Sequence, residues 1–189
     1  MIGIDEVGRG AWAGPLLVVA ARQMGKLPDG LTDSKLLSKT QREQLQAKLL
    51  KNCVLGEGWV TAEEIDRLKL SQALRLGISR ALKALNALPV EEIVLDGSSN
   101  YVDAKYINAR CQVKADALVP IVSAASIHAK ITRDKFMRAL AKQHPKYGFE
   151  THVGYGTKAH IEALIQNGVL SGIHRLSFKP VDLLAGVVV

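Results

Sequence analysis

The stretch IGIDEVGRGAWAGP, residues 2–15, does most to limit what this chain can become. An apolar run leads into two adjacent acids, Asp5 and Glu6, and then into a loop that carries Gly8, Arg9, Gly10 and Gly14. The run LLVVAARQ, Leu16 to Gln23, follows at once. Residues 1–7 and 16–23 therefore read as two strands joined by a glycine loop, and a sheet begins at the start of the chain in hairpin fashion.

Helices and further strands follow in mixed order. Ser38 with Gln41 is a capping-box pattern ahead of Leu45 and Leu49, which predicts a helix over about Ser38–Lys51. Thr61 and Glu64 repeat the device after a strand predicted near Val54–Val60, and Leu74, Ile78, Leu82 and Leu85 mark an amphipathic helix over about Ser71–Leu85. Two short apolar stretches, EEIVLDG and ARCQV, read as strands. A long helix with small residues near its start is predicted over Pro120–Gln143, and a last one over about Thr157–Asn167 that stops at Gly168. Strands followed by strands mixed with helices around one sheet make an α/β domain. At 189 residues, 48% of them hydrophobic, the chain can bury a core of its own, and no repeat or linker divides it.

Composition narrows the partners. Twenty-five Lys and Arg against 18 Asp and Glu leave a net charge of +7, which suits a polyanion such as nucleic acid. Cys53 and Cys111 are far apart and form no Cys-x-x-Cys pair, so neither a disulfide framework nor a zinc site is expected. No apolar run is long enough to span a bilayer and no leader precedes the first strand, so no membrane is expected and the cytoplasm is the predicted location.

Asp5, Glu6, Asp96 and Asp116 each follow or interrupt an apolar strand-like run and precede a small residue or loop. At the ends of adjacent strands they would converge on one edge of the sheet. Converging carboxylates repel one another in a partly dry site unless cations neutralise them. Oxygen-only ligands without a His-Cys cluster favour Mg²⁺ or Mn²⁺ over zinc, and two such ions about 4 Å apart suit in-line cleavage of a phosphodiester. On a regular strand the Asp5 and Glu6 side chains point to opposite faces, so Glu6 requires either a local bulge or a different part of the cluster from Asp5.

Gly8, Gly10 and Ala13 match the spacing of a dinucleotide fingerprint, but that fingerprint needs a helix directly after the glycines, and here Gly14-Pro15 leads into a strand. Nucleotide-cofactor binding is the weaker reading. A loop without Cβ atoms at Gly8 and Gly10 instead brings backbone groups up to a sugar or phosphate, with Arg9 as a fork of donors. Trp12 is expected to pack partly under this loop.

Taken together, I-D-E-V-G-R-G (Ile4–Gly10), D-S-K (Asp33–Lys35), L-D-G (Leu95–Gly97), K-A-D-A (Lys114–Ala117), S-A-A-S-I-H-A-K-I-T-R-D (Ser123–Asp134), Y-G-F (Tyr147–Phe149), G-Y (Gly154–Tyr155) and H-R-L-S-F (His174–Phe178) resemble bacterial ribonuclease HII, the type 2 ribonuclease H family. The resemblance covers essentially the whole chain. It implies an RNase H-like fold with a central mixed sheet flanked by helices, in one catalytic domain over residues 1–189 without an accessory domain. It implies a metal-dependent endonuclease that hydrolyses the RNA strand of RNA–DNA hybrids and cuts 5′ to single ribonucleotides in duplex DNA, leaving 3′-hydroxyl and 5′-phosphate ends. Asp5, Glu6, Asp96 and Asp116 become the metal-binding carboxylates. Gly8, Arg9 and Gly10 become the reader of the ribose 2′-OH, and Tyr155 contacts the same hydroxyl. The chain departs from the family pattern at Ala11 and Trp12, at Leu36 in place of a lysine, and at Gly156 in place of a proline. These changes touch no carboxylate; they bear on a phosphate contact and on the placement of Tyr155.

Lys35 is the basic residue expected to contact substrate, while Lys114 and Lys130 fit roles in the site's electrostatics. Asp134 reads as a surface or helix-pairing acid, with support of the metal site as the alternative, and the five histidines form no metal-ligand spacing. The expected partner is an RNA–DNA hybrid or a ribonucleotide-containing DNA duplex, and the chain carries no dimer motif, so a monomer is expected. A catalytically silent hybrid-binding protein is the alternative.

Overall fold

The computed structural model describes residues 1–31 and 37–185. Five strands and seven α-helices alternate along them: β1 (Ile2–Val7), β2 (Leu16–Gln23), α1 (Lys39–Asn52), β3 (Cys53–Val60), α2 (Ala62–Ala84), β4 (Ile93–Asp96), β5 (Ala109–Gln112), α3 (Ala115–Leu118), α4 (Pro120–Gln143), α5 (Phe149–His152), α6 (Lys158–Asn167) and α7 (Lys179–Ala185). The D-S-K motif, with Lys35, and Leu36 lie outside the described residues. The chain divides into two compact units that interleave in sequence. The first comprises Met1–Val7, Leu17–Trp59 and Leu74–Ile131; the second comprises Gly8–Leu16, Val60–Ala73 and the chain from Thr132 onward.

The first unit holds the sheet, ordered β3-β2-β1-β4-β5. β1 runs antiparallel to β2 and parallel to β4, and β4 is parallel to β5, so the sheet is mixed, as expected. α1 begins at the predicted capping box: the Ser38 side chain accepts from the Gln41 N–H while the Gln41 side chain accepts from the Ser38 N–H. The start of α4 explains its small residues. A Cβ on Gly3 of β1 would stand 2.5 Å from the Ile121 carbonyl carbon, so helix backbone lies directly on strand backbone. Ala124, Ala125, Ile127 and Ala129 then pack with Leu17, Val19, Leu45 and Leu49 into the core of this unit.

The same device recurs where α2 crosses β3. Gly58 faces the Gly77 carbonyl and Gly56 faces the Ala81 carbonyl with no room for a Cβ at either strand position. Gly58→Ala is therefore expected to push helix from strand and to lower stability by about 3 kcal/mol or more, above the usual cost of overpacking because the obstacle is backbone. Thermal or denaturant unfolding checks this.

Two differences from expectation are physical. The predicted break between the Thr61–Glu64 cap, which forms, and the helix from Ser71 narrows to one residue, Lys69, at φ 61° and ψ 163° within α2. A further short helix, α7, follows α6.

The second unit packs Met137, Ala141, Tyr147, Phe149, Ala163 and Leu164 around Ala13, with Trp12 and Ile173 partly buried against them. The loop that leads out of β1 belongs to this unit, and it enters β2, not a helix. That connection removes the structural basis of a dinucleotide fingerprint.

Candidate active site

The four predicted acids all belong to the first unit. β1 and β4 pair in register through Ile4 and Leu95, so Asp5 and Asp96 follow side by side where that pairing stops. Asp96 ends β4, whereas Asp5 and Glu6 lie inside β1, which runs on to Val7 against β2, and so do not mark a strand end as their sequence setting suggested. Gly97, at φ 112°, turns the chain away directly after Asp96. The Asp96 carboxylate accepts the Ala115 N–H at 2.7 Å, which sets Asp116 next to it in the chain at the first turn of α3. Asp116 therefore does not mark a strand end, as its sequence setting suggested. β5 stops at Gln112, and Lys114, left-handed at φ 59°, turns the chain into the helix that carries the acid. The Ser123 hydroxyl donates to the Asp116 carbonyl at 2.5 Å and pins that helix to α4.

Asp5 is buried, with 7% of its surface exposed, and its carboxyl is pushed up to about 8. Loss of water is the largest cause, and the neighbouring Glu6 and then Asp96 charges add to it, against hydrogen bonds from Ser126 and the Glu6 N–H. Glu6 keeps regular register opposite Val18, so β1 has no bulge and alternation sends Asp5 and Glu6 to opposite faces. Among the described residues no three of His, Cys, Asp and Glu close into one ready ligand group. The donor chemistry nevertheless fits a divalent cation. The donors are oxygens only, and burial, with repulsion from Glu6 and Asp96 added, holds the Asp5 carboxyl far above its ordinary range, which a nearby positive charge would offset.

The predicted loop and Tyr155 both belong to the second unit, where two buried arginines shape them. Arg133, fully buried, donates to the carbonyls of Pro15 (2.8 Å), Val153 (2.9 Å) and Ala13 (3.1 Å). Arg175, also fully buried, donates twice to Gly14, at 3.1 and 2.9 Å, and once to Arg9 at 3.1 Å. These guanidiniums turn the loop's carbonyls inward. Burial, and after it the nearby Arg133 charge, holds the Arg175 guanidinium down at about 9. Gly8 sits at φ 84°, and a Cβ there would overlap the Arg133 side chain. Gly10 is exposed, with open space where its Cβ would stand.

Gly8 and Tyr155, 147 residues apart, meet directly: the Gly8 N–H donates to the Tyr155 hydroxyl at 3.2 Å. Trp12 is half-buried, as expected, and its ring covers Gly156, where any Cβ would enter it. Two departures that the sequence presents separately are thus one packing solution beside Tyr155.

Sequence reasoning missed Arg133 and Arg175 as architects of the loop, because their partners within the loop lie more than 110 residues away. Asp134 is buried, not at the surface, and approaches Arg138 of the same helix at 3.9 Å. Lys114 is exposed and Lys130 half-buried. His128 joins Glu57 at 2.8 Å and Gln46 at 3.1 Å, and His152, His160 and His174 are buried together in the second unit.

The family model "Ribonuclease HII" matches residues 2–181. The chain is 44% identical over 184 residues to a ribonuclease HII of Cereibacter sphaeroides, covering 96% of this chain and 84% of that one. It is 42% identical over 184 residues to a ribonuclease HII of Fusobacterium nucleatum, covering 94% and 85%. Among solved structures, the ribonuclease H2 of Pyrococcus horikoshii OT3 superposes with a TM-score of 0.78 at 28% identity, covering 98% of this chain and 96% of that one. A match over residues 2–181, which takes in the acids, the glycine loop and Tyr155, places this chain in the ribonuclease HII family and makes it an endoribonuclease.

Proposed function

We propose that this chain is a divalent-metal-dependent endonuclease of the cytoplasm that, as one catalytic domain and a monomer, hydrolyses the RNA strand of RNA–DNA hybrids. It also cuts 5′ to single ribonucleotides embedded in duplex DNA, leaving 3′-hydroxyl and 5′-phosphate ends. The Asp5 carboxyl, raised first by burial and then by the charges of Glu6 and Asp96 beside it, carries this reading. Such a concentration of like charge at a sheet end costs stability and is retained where cations are to be held.

Asp5, Glu6, Asp96 and Asp116 would hold two Mg²⁺ or Mn²⁺ ions, which supply an activated water and stabilise the leaving oxygen. Asp96 and Asp116 are held in relation to each other through the Ala115 N–H. The loop supplies recognition. The carbonyls of Arg9, Ala13, Gly14 and Pro15 are bound to arginines, and the N–H groups of Gly8, Ala11, Trp12, Ala13 and Gly14 donate to Tyr155, Gly8, Gly154 and Ile173, so the loop is held in one shape before a ligand arrives. The Arg9 side chain is exposed beside Gly10 and adds donors for phosphate. The Gly8–Tyr155 hydrogen bond supports a shared role for the two residues at the ribose 2′-OH, the group that separates RNA from DNA. Lys35 would add a phosphate contact.

The test uses an RNA–DNA hybrid labelled on the RNA strand, beside an all-DNA duplex, with Mg²⁺, with Mn²⁺ and with chelator. Cleavage of the hybrid alone, and only with metal, is expected. Tight binding without cleavage under every condition would replace the enzyme with a silent hybrid binder.

A further inference from the structure

One chain of hydrogen bonds in the second unit can run in only one direction. The Leu170 N–H donates to Nδ1 of His174 at 2.8 Å, so that nitrogen is an acceptor and the proton of neutral His174 sits on Nε2. Nε2 of His174 faces Nε2 of His160 at 3.1 Å. With the proton on His174, His160 accepts there and carries its own proton on Nδ1. That Nδ1 lies 3.0 Å from the Tyr155 carbonyl oxygen, an atom that can only accept. Both ends of the chain therefore demand the same pair of tautomers.

The surroundings hold both rings neutral. His160 and His174 are fully buried, and burial pushes each down to about 4. His152 stacks on His160 with ring centroids 4.4 Å apart, and it is itself committed to the Tyr147 carbonyl (2.7 Å) and the Gly154 N–H (3.2 Å). The Trp12 ring stands 5.8 Å from His160 on the side of Gly156. At the far end of the chain, Tyr155 is held at four points. Its carbonyl accepts from His160 and from the Thr157 N–H (2.9 Å), its N–H donates to the His152 carbonyl (2.9 Å), and its hydroxyl accepts from Gly8.

We propose that His174 and His160 form a directional hydrogen-bond relay that positions Tyr155, and that the two histidines are thereby specificity-determining residues for recognition of ribose. They act through Tyr155 and touch no substrate. The inference rests on the assignment of Tyr155 as a reader of the 2′-OH.

Substitutions at His160 separate a relay from simple packing. His160→Asn places an amide N–H₂ near the position of Nδ1 and keeps the donor to Tyr155. His160→Gln fills more of the imidazole volume but places its amide near Nε2 and loses that donor. On a DNA duplex with one ribonucleotide, His160→Asn is expected within about threefold of the unsubstituted protein, and His160→Gln about tenfold slower, as for one lost hydrogen bond. In a Tyr155→Phe background, His160→Gln should add less than about threefold, because residues in one network are not additive. A Gln variant as active as the Asn variant, or better, overturns the relay in favour of packing.

¹⁵N NMR of the full chain near pH 7 reads the relay without substrate, and so serves even where a variant fails to fold. Protons on His174 Nε2 and His160 Nδ1 support it, and either opposite tautomer overturns it. The two levels fail differently. Unchanged cleavage by Tyr155→Phe overturns the assignment of Tyr155, whereas a slow Tyr155→Phe with equal Asn and Gln variants overturns the relay alone.

Discussion

Asp96→Asn is expected to reduce cleavage of an RNA–DNA hybrid about a thousandfold or more while leaving hybrid binding intact. The substitution keeps the fold, since the asparagine carbonyl oxygen can still accept the Ala115 N–H that Asp96 accepts at 2.7 Å. It removes one negative charge from the set that would hold the metal ions. Metal-based charge stabilisation is worth several kcal/mol at the transition state, and about 4 kcal/mol corresponds to a thousandfold in rate. Cleavage rates and hybrid affinity measured on the same preparation check both halves.

The companion substitution Asp5→Asn is expected to abolish cleavage and yet raise the melting temperature in chelator. Asp5 has a folded-state pKa of about 8, above its unfolded value near 3.9. Between these values the folded state binds the extra proton, so stability falls as pH rises from about 4 to 8. The gain from Asp5→Asn should accordingly be largest at pH 8 and above and should shrink toward pH 4. Thermal melts across that range measure it, and a gap that widens toward acid would contradict the assigned direction.

Arg133→Lys should destabilise the protein far more than a charge-conserving exchange suggests. The guanidinium serves the carbonyls of Pro15, Val153 and Ala13 at once, in a fully buried setting. An ammonium is a compact donor that cannot span three such acceptors. Each carbonyl left unpaired costs about 1–3 kcal/mol, so with one or two stranded the expected loss is roughly 2–5 kcal/mol. These carbonyls flank both the glycine loop and Tyr155, so the variant should also lose preference for the ribonucleotide at temperatures where it remains folded. Unfolding curves, with cleavage of hybrid and single-ribonucleotide substrates, read the two effects.

Elements specified by local chemistry were legible before the fold was known. Ser38 with Gln41, Thr61 with Glu64, and Thr157, which accepts from the His160 N–H, start helices through contacts three residues apart, and sequence spacing reveals such contacts directly. The strands carrying Asp5 and Asp96 were legible for the same reason. Asp116 stands out in the sequence as an acid, but its element does not: the apolar run before it points to a strand end, whereas it lies in the first turn of α3. The turn at Lys114 depends on a left-handed backbone that no glycine announces. Arg133 and Arg175 could not be distinguished from surface arginines, since what defines them is a set of carbonyls elsewhere in the chain. Trp12 and Gly156 illustrate the same limit, because only the packed structure joins them.

In the proposed division of labour, metal ions held by the carboxylates cleave and the glycine loop with Tyr155 recognises ribose. Its most direct test is cleavage, in Mg²⁺ or Mn²⁺, of a DNA duplex carrying one ribonucleotide, beside the same duplex with a 2′-O-methyl group at that position. A single cut 5′ to the ribonucleotide, with 3′-hydroxyl and 5′-phosphate ends, and no cut in the methylated duplex are expected. Equal cleavage of both duplexes, or a cut that persists in chelator, would contradict it.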